Sequence, residues 1–433
     1  MLALALSCVT VFLGACAASA ADWPAWRGPL ATGEAPGADP PVHWSEGQNV
    51  RWKLELPGRG HSSPVVWGDH VFLTTAIPVG EPVDPRRDSA EGSHHNIAVR
   101  QRHEFAMLAV DRGRGRVLWK RTLAAALPRE GGHYTGSLAS HSPVTDGEHV
   151  FAFFGSRGLY ALGHDGAPVW EVQLGEMQTK HGHGEGSSPV LYGDTLIVNW
   201  DHAGQSFLAA FEKSTGRRRW KVPRDEVTSW ASPIVVEHAG QKQVVVSGTG
   251  RLRGYDLASG EVVWECGGLS ANVVASPVAG GGMVFAASSY DKQALLAIRL
   301  EGAQGDLTGT DHVAWTRSRD TPYVPSPLLY EGSLYVLKHY QGVLTRLVAE
   351  TGEERSRPFR LTSIGNVYAS PVAASGRIYI TDRDGATIVL SHAATPEVLA
   401  LNHLDDSFSA SAALVDRELF LRGQRFLYSV SEE

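Results

Sequence analysis

A Ser-Pro dipeptide followed by a short apolar run recurs along this 433-residue sequence at intervals close to 44 residues. The copies begin at Ser63, Ser142, Ser188, Ser232, Ser276, Ser326 and Ser370, and a degenerate eighth copy has Ser411-Ala412. Successive spacings are 79, 46, 44, 44, 50, 44 and 41 residues. A period in the mid-forties accommodates four short strands with their turns, which is typical of one β-propeller blade. A polar insertion from Pro78 to Glu104 accounts for the one long interval.

A second landmark follows each Ser-Pro start. It reads AVDRGRGRVLW at 109–119, AFEKSTGRRRW at 210–220 and GYDLASGEVVW at 254–264. The acidic residue and the glycine suit a hairpin turn, and the tryptophan then lies on the following strand. We predict that these tryptophans dock adjacent blades: Trp52, Trp119, Trp170, Trp220, Trp264 and Trp315. The copies at 346–359 and 386–399 lack the tryptophan, so we expect those two blade junctions to pack less well.

Short apolar runs of period two, separated by glycine-rich turns, indicate strands throughout, and no segment predicts an amphipathic helix. In the first copy the predicted strands are Pro64–Trp67, Val71–Thr75, Phe105–Asp111 and Arg116–Leu123.

The two ends of the repeat region complement each other. The last copy holds only three strands, whereas Asn49–Leu56 (NVRWKLEL) is a tryptophan-bearing strand with no copy in front of it. Pairing the two removes the exposed sheet edges of an open ring. The sequence therefore predicts an all-β, eight-bladed β-propeller of four-stranded antiparallel blades over residues 49–433, closed by the N-terminal strand. Residues 21–48 are predicted to form an extended arm across the ring, anchored by Trp23 and Trp26.

Residues 1–20 are apolar, end in small residues, and are predicted to be an export signal. Two cleavage interpretations remain: Ala18-Ser19-Ala20 fits a signal peptidase site, and Leu13-Gly14-Ala15-Cys16 resembles a lipobox that would leave Cys16 acylated. No other stretch is long and apolar enough to span a bilayer. Cleavage before Ala21 would leave Cys266 as the only cysteine, without an intrachain disulfide.

The net charge of −7 argues against a nucleic-acid partner, which needs a basic face. We expect a monomer that contacts membranes only through a possible lipid anchor.

The Ala-x-Asp-x-x-x-Gly-x-x-x-Trp element of 109–119, the Ser-Pro starts and the opening DWPAWRGP (22–29) resemble the PQQ-binding-like β-propeller repeat family. That family includes quinoprotein dehydrogenases and the outer-membrane assembly lipoprotein BamB. The first resemblance implies a quinone held against a vicinal disulfide, with a calcium ion and an aspartate base. This sequence has no adjacent cysteines, and Asp382-Arg383-Asp384-Gly385 falls in a predicted hairpin turn without the ligand count of a calcium loop. We therefore expect no cofactor; the resemblance to BamB implies a binding scaffold without chemistry.

In such a ring, the connections between second and third strands share one face with the crossings to the next blade. We call this the upper face. Histidines and aromatic residues concentrate in its loops, a composition typical of a ligand platform, although polar loops are common in any protein. The candidate binding residues are His61, His133, His141, His181, His183, Trp200, His202, Trp230, Tyr323, His339 and Tyr368. His94, His95, His103, His403 and Tyr340 are assigned to the same face.

The motif His181-Gly182-His183-Gly184-Glu185 offers zinc ligands, but no third ligand is fixed by spacing, and we predict no metal site. No nucleophile elbow, P-loop or His-Glu-x-x-His motif occurs, and a serine repeated in every blade is better explained by backbone hydrogen bonding. The sequence thus predicts a non-catalytic, exported interaction scaffold of the periplasm or cell envelope that binds an envelope protein or a small ligand at the upper face. The alternatives are a quinone-dependent dehydrogenase and a carbohydrate-binding propeller.

Overall fold

Each Ser-Pro copy precedes the innermost strand of one β-sheet. The computed structural model describes residues 22–86 and 90–432, so the predicted signal segment and Cys16 lie outside the described residues. The sheets follow the repeat copies, and each sheet's first strand lies innermost. The prediction of an all-β, eight-bladed propeller is confirmed.

The first strand is β1 (Val50–Glu55). Blade 1 has β2 (Val65–Trp67), β3 (His70–Val79), β4 (Arg102–Asp111) and β5 (Val117–Ala126). Blade 2 has β6 (Val144–Thr145), β7 (His149–Phe153), β8 (Leu159–Gly163) and β9 (Pro168–Val172). Blade 3 has β10 (Val190–Tyr192), β11 (Thr195–Trp200), β12 (Phe207–Glu212) and β13 (Arg218–Pro223). Blade 4 has β14 (Ile234–His238), β15 (Gln241–Ser247), β16 (Arg251–Asp256) and β17 (Val262–Gly267), and its fifth strand is the later β21 (Gly305–Asp306). Blade 5 has β18 (Val278–Gly280), β19 (Met283–Ser288), β20 (Ala294–Arg299) and β22 (Val313–Arg317). Blade 6 has β23 (Leu328–Tyr330), β24 (Ser333–Leu337), β25 (Val343–Val348) and β26 (Phe359–Arg360). Blade 7 has β27 (Val372–Ala374), β28 (Arg377–Thr381), β29 (Ala386–Ser391) and β30 (Val398–His403). Blade 8 has β31 (Ala413–Val415), β32 (Glu418–Arg422) and β33 (Phe426–Ser431). Two 3-10 turns, Gly155–Arg157 and Lys180–Gly182, lie in upper-face connections.

Blade 1 differs from the others because its middle hairpin is longer. Strands β3 and β4 stay paired from His70 opposite Asp111 to Val79 opposite Arg102, beyond the predicted ends at Thr75 and Phe105. This ten-residue ladder raises the insertion above the upper face, next to the central opening. Within the described residues, no helix is long and apolar enough to cross a membrane.

Ring closure occurs in blade 8, whose order is β1-β33-β32-β31, with β1 antiparallel to β33. The seam also carries ion pairs: Glu418 accepts from Arg51 at 2.9 Å and from Arg112 of blade 1 at 2.5 Å. Closure by the N-terminal strand is therefore confirmed.

The repeated serines form a ladder around the channel. In seven junctions the backbone N–H of one serine donates to the Oγ of the serine in the next blade, at 2.8–3.0 Å, running from Ser63 to Ser411. Because these N–H groups lie outside the sheet ladders, the hydroxyls satisfy donors that burial would otherwise leave unpaired. The serines repeat because every junction needs the same bond.

Five of the repeated tryptophans reach over the hairpin turn of the next blade. Trp170 is representative: its Nε1–H donates to the Lys213 carbonyl at 2.8 Å, and its ring covers Gly216. Glycine is needed here for the turn's positive φ of 69° and because a Cβ would lie 2.7 Å from the indole. The same arrangement occurs at Trp52, Trp119, Trp220 and Trp315.

Trp264 is docked differently from this prediction. Its Nε1–H donates to Gln243 of its own blade at 2.7 Å, and its ring lies against Gly254. The cause is the long connection between β20 and β22, whose β21 pairs in parallel with β17 and covers the position where the usual turn would lie. Trp264 still packs in the cluster shared by blades 4 and 5.

The two junctions without a repeat tryptophan are filled by other side chains. Arg346 of blade 6 is buried and donates to the Ala393 carbonyl in the blade 7 turn, as an indole does elsewhere. At the junction of blades 7 and 8, Trp44 from the arm is buried in the shared cluster with its ring centroid 6.4 Å from that of Tyr379.

The arm crosses the lower end of the channel. Trp23 is buried and pairs with Val66 of blade 1, while the Gly33 carbonyl accepts from Ala373 of blade 7 at 2.9 Å. Arg27 is buried beneath the ring and donates to the carbonyls of Pro327 and Pro371 at 2.6 Å each. These bonds hold Trp26 in the channel, with its Nε1–H 3.4 Å from Ser411 Oγ.

Candidate functional site

The upper face opens into a central cavity of about 460 Å³. Its floor is Trp26 of the arm, and its lower wall is the ring of eight repeat serines. Each ladder Oγ that accepts a backbone N–H keeps its own proton, which can be donated to a bound molecule. The arm thus converts the propeller channel into a cavity with one mouth.

One side of the central cavity is aromatic. Trp230, Tyr290, Tyr323, Tyr340 and Tyr368 line it, from blades 3 to 7. The rings are coupled in pairs, with centroids 5.8 Å apart for Tyr290–Tyr323 and 5.7 Å for Tyr340–Tyr368. Burial raises the pKa of Tyr323 to about 12, so its hydroxyl stays protonated. This side offers flat apolar faces with hydroxyl groups at their edges.

The opposite side carries imidazoles. His61, His94, His133 and His183 line the cavity. Desolvation, together with the charges of Arg59, Arg422 and Arg383, lowers the pKa of His61 to about 3. Desolvation and the neighbouring histidines lower the pKa of His183 to about 4. Both rings are therefore neutral at physiological pH.

The remaining predicted residues do not reach the cavity wall. His141 and Trp200 are buried in the core, where Trp200 is stacked on Phe207 with centroids 5.3 Å apart. His202 accepts the N–H of Gly204 within its own loop, and Nδ1 of His339 is bonded to Ser289 Oγ at 2.9 Å. His181 lies behind His183, with ring centroids 5.4 Å apart.

Sequence reasoning missed several lining residues. Trp26 lies in the arm, outside the repeat, so no periodic signal marks it. Tyr290 lies in the β19–β20 connection at the same place as Tyr340 in the β24–β25 connection, and aligning those two loops would have found it. Glu185, which the sequence analysis named only within the His181–Glu185 motif, is the cavity's only carboxylate among the described residues. Desolvation raises its pKa to about 7, and it accepts hydrogen bonds from the Ser156 hydroxyl and N–H.

Two arginines lie next to side chains that line the cavity, Arg383 beside Tyr368 and Arg59 near His61. The Arg383 guanidinium lies 4.8 Å from the centre of the Tyr368 ring, and Arg59 donates to the Tyr134 carbonyl. The Nε atoms of both arginines are buried without an acceptor among the described residues. Burial, with Arg383 as a second cause, lowers the pKa of Arg59. Neighbouring cations with unmatched donors favour an anionic group at this position.

The eight blades, the tryptophan-over-glycine docking element and the central cavity define the class of PQQ-repeat β-propellers. The sequence also identifies the family within that class. The family described as "Outer membrane protein assembly factor BamB" matches residues 104–357 and 205–426, and the chain belongs to this family. Among curated proteins, no sequence is significantly similar.

Solved structures of the same fold include BamB and two dehydrogenases. BamB from Moraxella catarrhalis is 13% identical, with a TM-score of 0.54 over 83% of this chain and 99% of that one. A europium-containing methanol dehydrogenase is 9% identical, with a TM-score of 0.63 over 96% and 99%. The quinohemoprotein alcohol dehydrogenase ADHIIG from Pseudomonas putida HK5 is 9% identical, with a TM-score of 0.57 over 95% and 80%. Such identities show the fold alone, so they do not decide whether this chain is catalytic.

The residues present do not fit the quinone site that the fold family implies. Cys266, the one cysteine in the described residues, is buried in the cluster of blades 4 and 5 and has no adjacent partner. Asp382, in the acidic turn, is committed to backbone: its Oδ1 accepts from Asp384 and Ala386, and its Oδ2 accepts from Gly365. Neither the thiol clamp nor an available aspartate base is formed by these side chains.

Proposed function

We propose that this protein is a non-catalytic, exported scaffold of the cell envelope, and that its central cavity binds a polar, carboxylate-bearing segment of a partner protein. The observation that carries this proposal is the one-mouthed cavity of about 460 Å³, lined by hydroxyls, aromatic rings and neutral imidazoles. Membership of the BamB family is consistent with such a role. A rigid ring suits it because the ring fixes loops from many blades around one opening.

The cavity lining matches a polypeptide segment. The serine hydroxyls can donate to the carbonyls of an inserted loop, and the tyrosine faces can cover its side chains. Arg59 and Arg383 supply the charged recognition, because a carboxylate between them would satisfy the buried Nε donors. The segment therefore carries at least one acidic side chain or a C-terminal carboxylate.

The test is selection from a displayed library of random peptides against the purified mature chain. Acidic peptides should be enriched, and their neutralised Asn and Gln versions should bind at least about tenfold more weakly. Tyr323→Ala and Arg383→Gln should reduce binding, whereas Tyr192→Ala and Arg114→Gln, on the opposite face, should not. No selected peptide, or equal effects of cavity and control variants, would refute the proposal.

Carbohydrate binding is a second candidate because the aromatic side could stack against a sugar ring. A glycan array probed with the same variants separates the two: glycan binding lost in Tyr323→Ala but retained in Arg383→Gln would favour the sugar. Dye-linked alcohol oxidation after addition of pyrroloquinoline quinone and calcium would instead establish an enzyme.

Export is part of the proposal. Mass spectrometry of the mature N-terminus distinguishes cleavage before Ala21 from acylation at Cys16, and unprocessed chain in the cytosol would contradict export.

A further inference from the structure

Five histidines from three separate segments meet at the rim of the central cavity. His94 and His95 come from the β3–β4 insertion, His133 from the blade 1–2 crossing, and His181 and His183 from the blade 2–3 crossing. We call these five residues the imidazole cluster. The sequence showed only the pair His181 and His183, because His94 and His95 are brought in by the long hairpin of blade 1 and His133 by the crossing that follows it.

The rings of the imidazole cluster are in mutual reach. His183 is central: its ring centroid lies 4.7 Å from that of His94, 5.0 Å from His133 and 5.4 Å from His181. One ligand nitrogen from each of His94, His95 and His133 lies within 4.8 Å of the others. Zinc–nitrogen bonds of about 2.0–2.1 Å place tetrahedral ligand atoms roughly 3.4 Å apart. Side-chain rotations that close the group by little more than 1 Å would suffice.

Hydrogen bonds orient two of the rings for coordination. Nδ1 of His94 lies 2.8 Å from the Gly92 carbonyl, and Nδ1 of His181 lies 2.9 Å from the Glu91 carbonyl. A carbonyl oxygen can only accept a hydrogen bond, so the neutral form of each ring carries its proton on Nδ1 and has its lone pair on Nε2. Metal-bound histidines are held in this way by their outer neighbours.

The His183 ring has a buried nitrogen whose hydrogen-bonding capacity is not used. Its Nε2 is buried and has no hydrogen-bond partner among the described residues. A buried polar atom without a partner is costly unless a ligand completes it.

The backbone of the cluster is strained at two of its members. His95 and His181 have φ values of 56° and 58°, a conformation unfavourable for residues other than glycine. The Gly92 Cα passes so close to His181 that a Cβ would lie 2.5 Å from its Nδ1. The backbone of both loops thus adopts an unfavourable conformation in which their histidine side chains come together.

We propose that the imidazole cluster binds one divalent late transition-metal ion, with zinc, copper and nickel as the candidates, and that the ion ties the insertion to the two crossings. Imidazole nitrogen favours these ions over calcium and magnesium, which prefer oxygen. His94, His133 and His183 also line the central cavity, so the ion would lie in its wall. The proposal does not depend on the identity of the cavity's occupant.

The experiment measures metal binding to the full mature chain after dialysis against a chelator. Isothermal titration with Zn²⁺, Cu²⁺ and Ni²⁺ in separate arms, and elemental analysis after gel filtration, should give one ion per chain for at least one metal. Ca²⁺ is expected to give none. Substituted Co²⁺ should show the visible d–d absorption of nitrogen coordination.

Matched variants locate the site. His183→Ala and His133→Ala should each weaken binding by about 100-fold. His202→Ala and His339→Ala, which remove upper-face histidines outside the cluster, should leave it unchanged. Circular dichroism melting of each metal-free variant is the control for folding. Binding of none of the three metals in stoichiometric amount, or equal losses in cluster and control variants, would overturn the proposal. Peptide selection repeated with metal-free protein keeps this result separate from the proposed scaffold function.

Discussion

Substitution of Gly216 by alanine tests whether indole docking over a glycine turn holds the blades together. The added Cβ would lie 2.7 Å from Trp170 Cε3 and 3.2 Å from Val172 Cγ2. The indole cannot move away freely, because its Nε1–H donates to Lys213.

Two costs add up at this position. The φ of 69° costs a non-glycine residue roughly 1–2 kcal/mol, and overpacking costs about 1–3 kcal/mol more. We therefore expect Gly216→Ala to lower the free energy of unfolding by about 2–5 kcal/mol. Gly193 in the same blade is the matched control: its φ is 59°, but nothing lies within 4 Å of an added Cβ. Gly193→Ala should cost only the backbone part, about 1–2 kcal/mol.

The assay is denaturant unfolding of the two alanine variants, repeated in a Trp170→Ala background. Removing the indole by itself should cost up to about 3–5 kcal/mol, less where the ring is partly exposed. In that background Gly216→Ala should cost no more than Gly193→Ala, because the overlap is gone. Equal costs in the intact background, or an unchanged cost of Gly216→Ala without the indole, would refute the docking argument.

Three further predictions concern charge and closure. Desolvation lowers the pKa of the buried His141 ring to about 4, below the ordinary 6.5. The unfolded state therefore takes up a proton first, and the free energy of unfolding falls as the pH drops from 6.5 toward 4. At pH 5 the loss is about 2 kcal/mol. Parallel unfolding of His141→Phe at pH 7 and pH 5 should show a smaller decrease than the parent, and an equal decrease would contradict the assignment. Arg346→Met should lower the unfolding free energy by about 1–2 kcal/mol, because the buried guanidinium and its hydrogen bond to the Ala393 carbonyl are lost, although water can still reach that exposed residue. An unchanged denaturation midpoint would show that the bond contributes nothing. Deleting residues 21–56 removes β1 and the arm and should abolish the cooperative melting transition, whereas a retained native melting curve would count against closure by β1.

The fold could be predicted because the same sequence pattern recurs in each blade and forms the same strands. Every Ser-Pro start implied one inner strand, and a strand left over at each end implied closure. Trp264 shows the limit of this reasoning. Its position in the repeat is regular, but a connection 41 residues downstream folds back and places β21 beside its strand. Such a contact depends on where a non-repeating loop lies in space, which periodicity does not encode.

The candidate site was less predictable for the same reason. Assigning residues to the upper face brought His61, His133, His183, Trp230, Tyr323 and Tyr368 to the cavity wall, but it could not separate them from the core residues His141 and Trp200. Loop position fixes the face on which a residue lies, whereas the side chain's direction depends on backbone angles. The imidazole cluster depends on both, since two of its members have positive φ.

The arm and β1 have a consequence for the order of assembly. They are made before any blade, yet their partners include Ala373 and the whole of β33, which begins at Phe426. This segment must therefore wait, with Trp44 uncovered, until almost four hundred further residues have been synthesised. During that interval the nascent chain exposes apolar segments at its N-terminal end and the blades of an unclosed ring further along. A chaperone that binds extended, tryptophan-rich segments would protect the arm and β1 during this interval. Pairing of β1 with β33 would displace it when the ring closes.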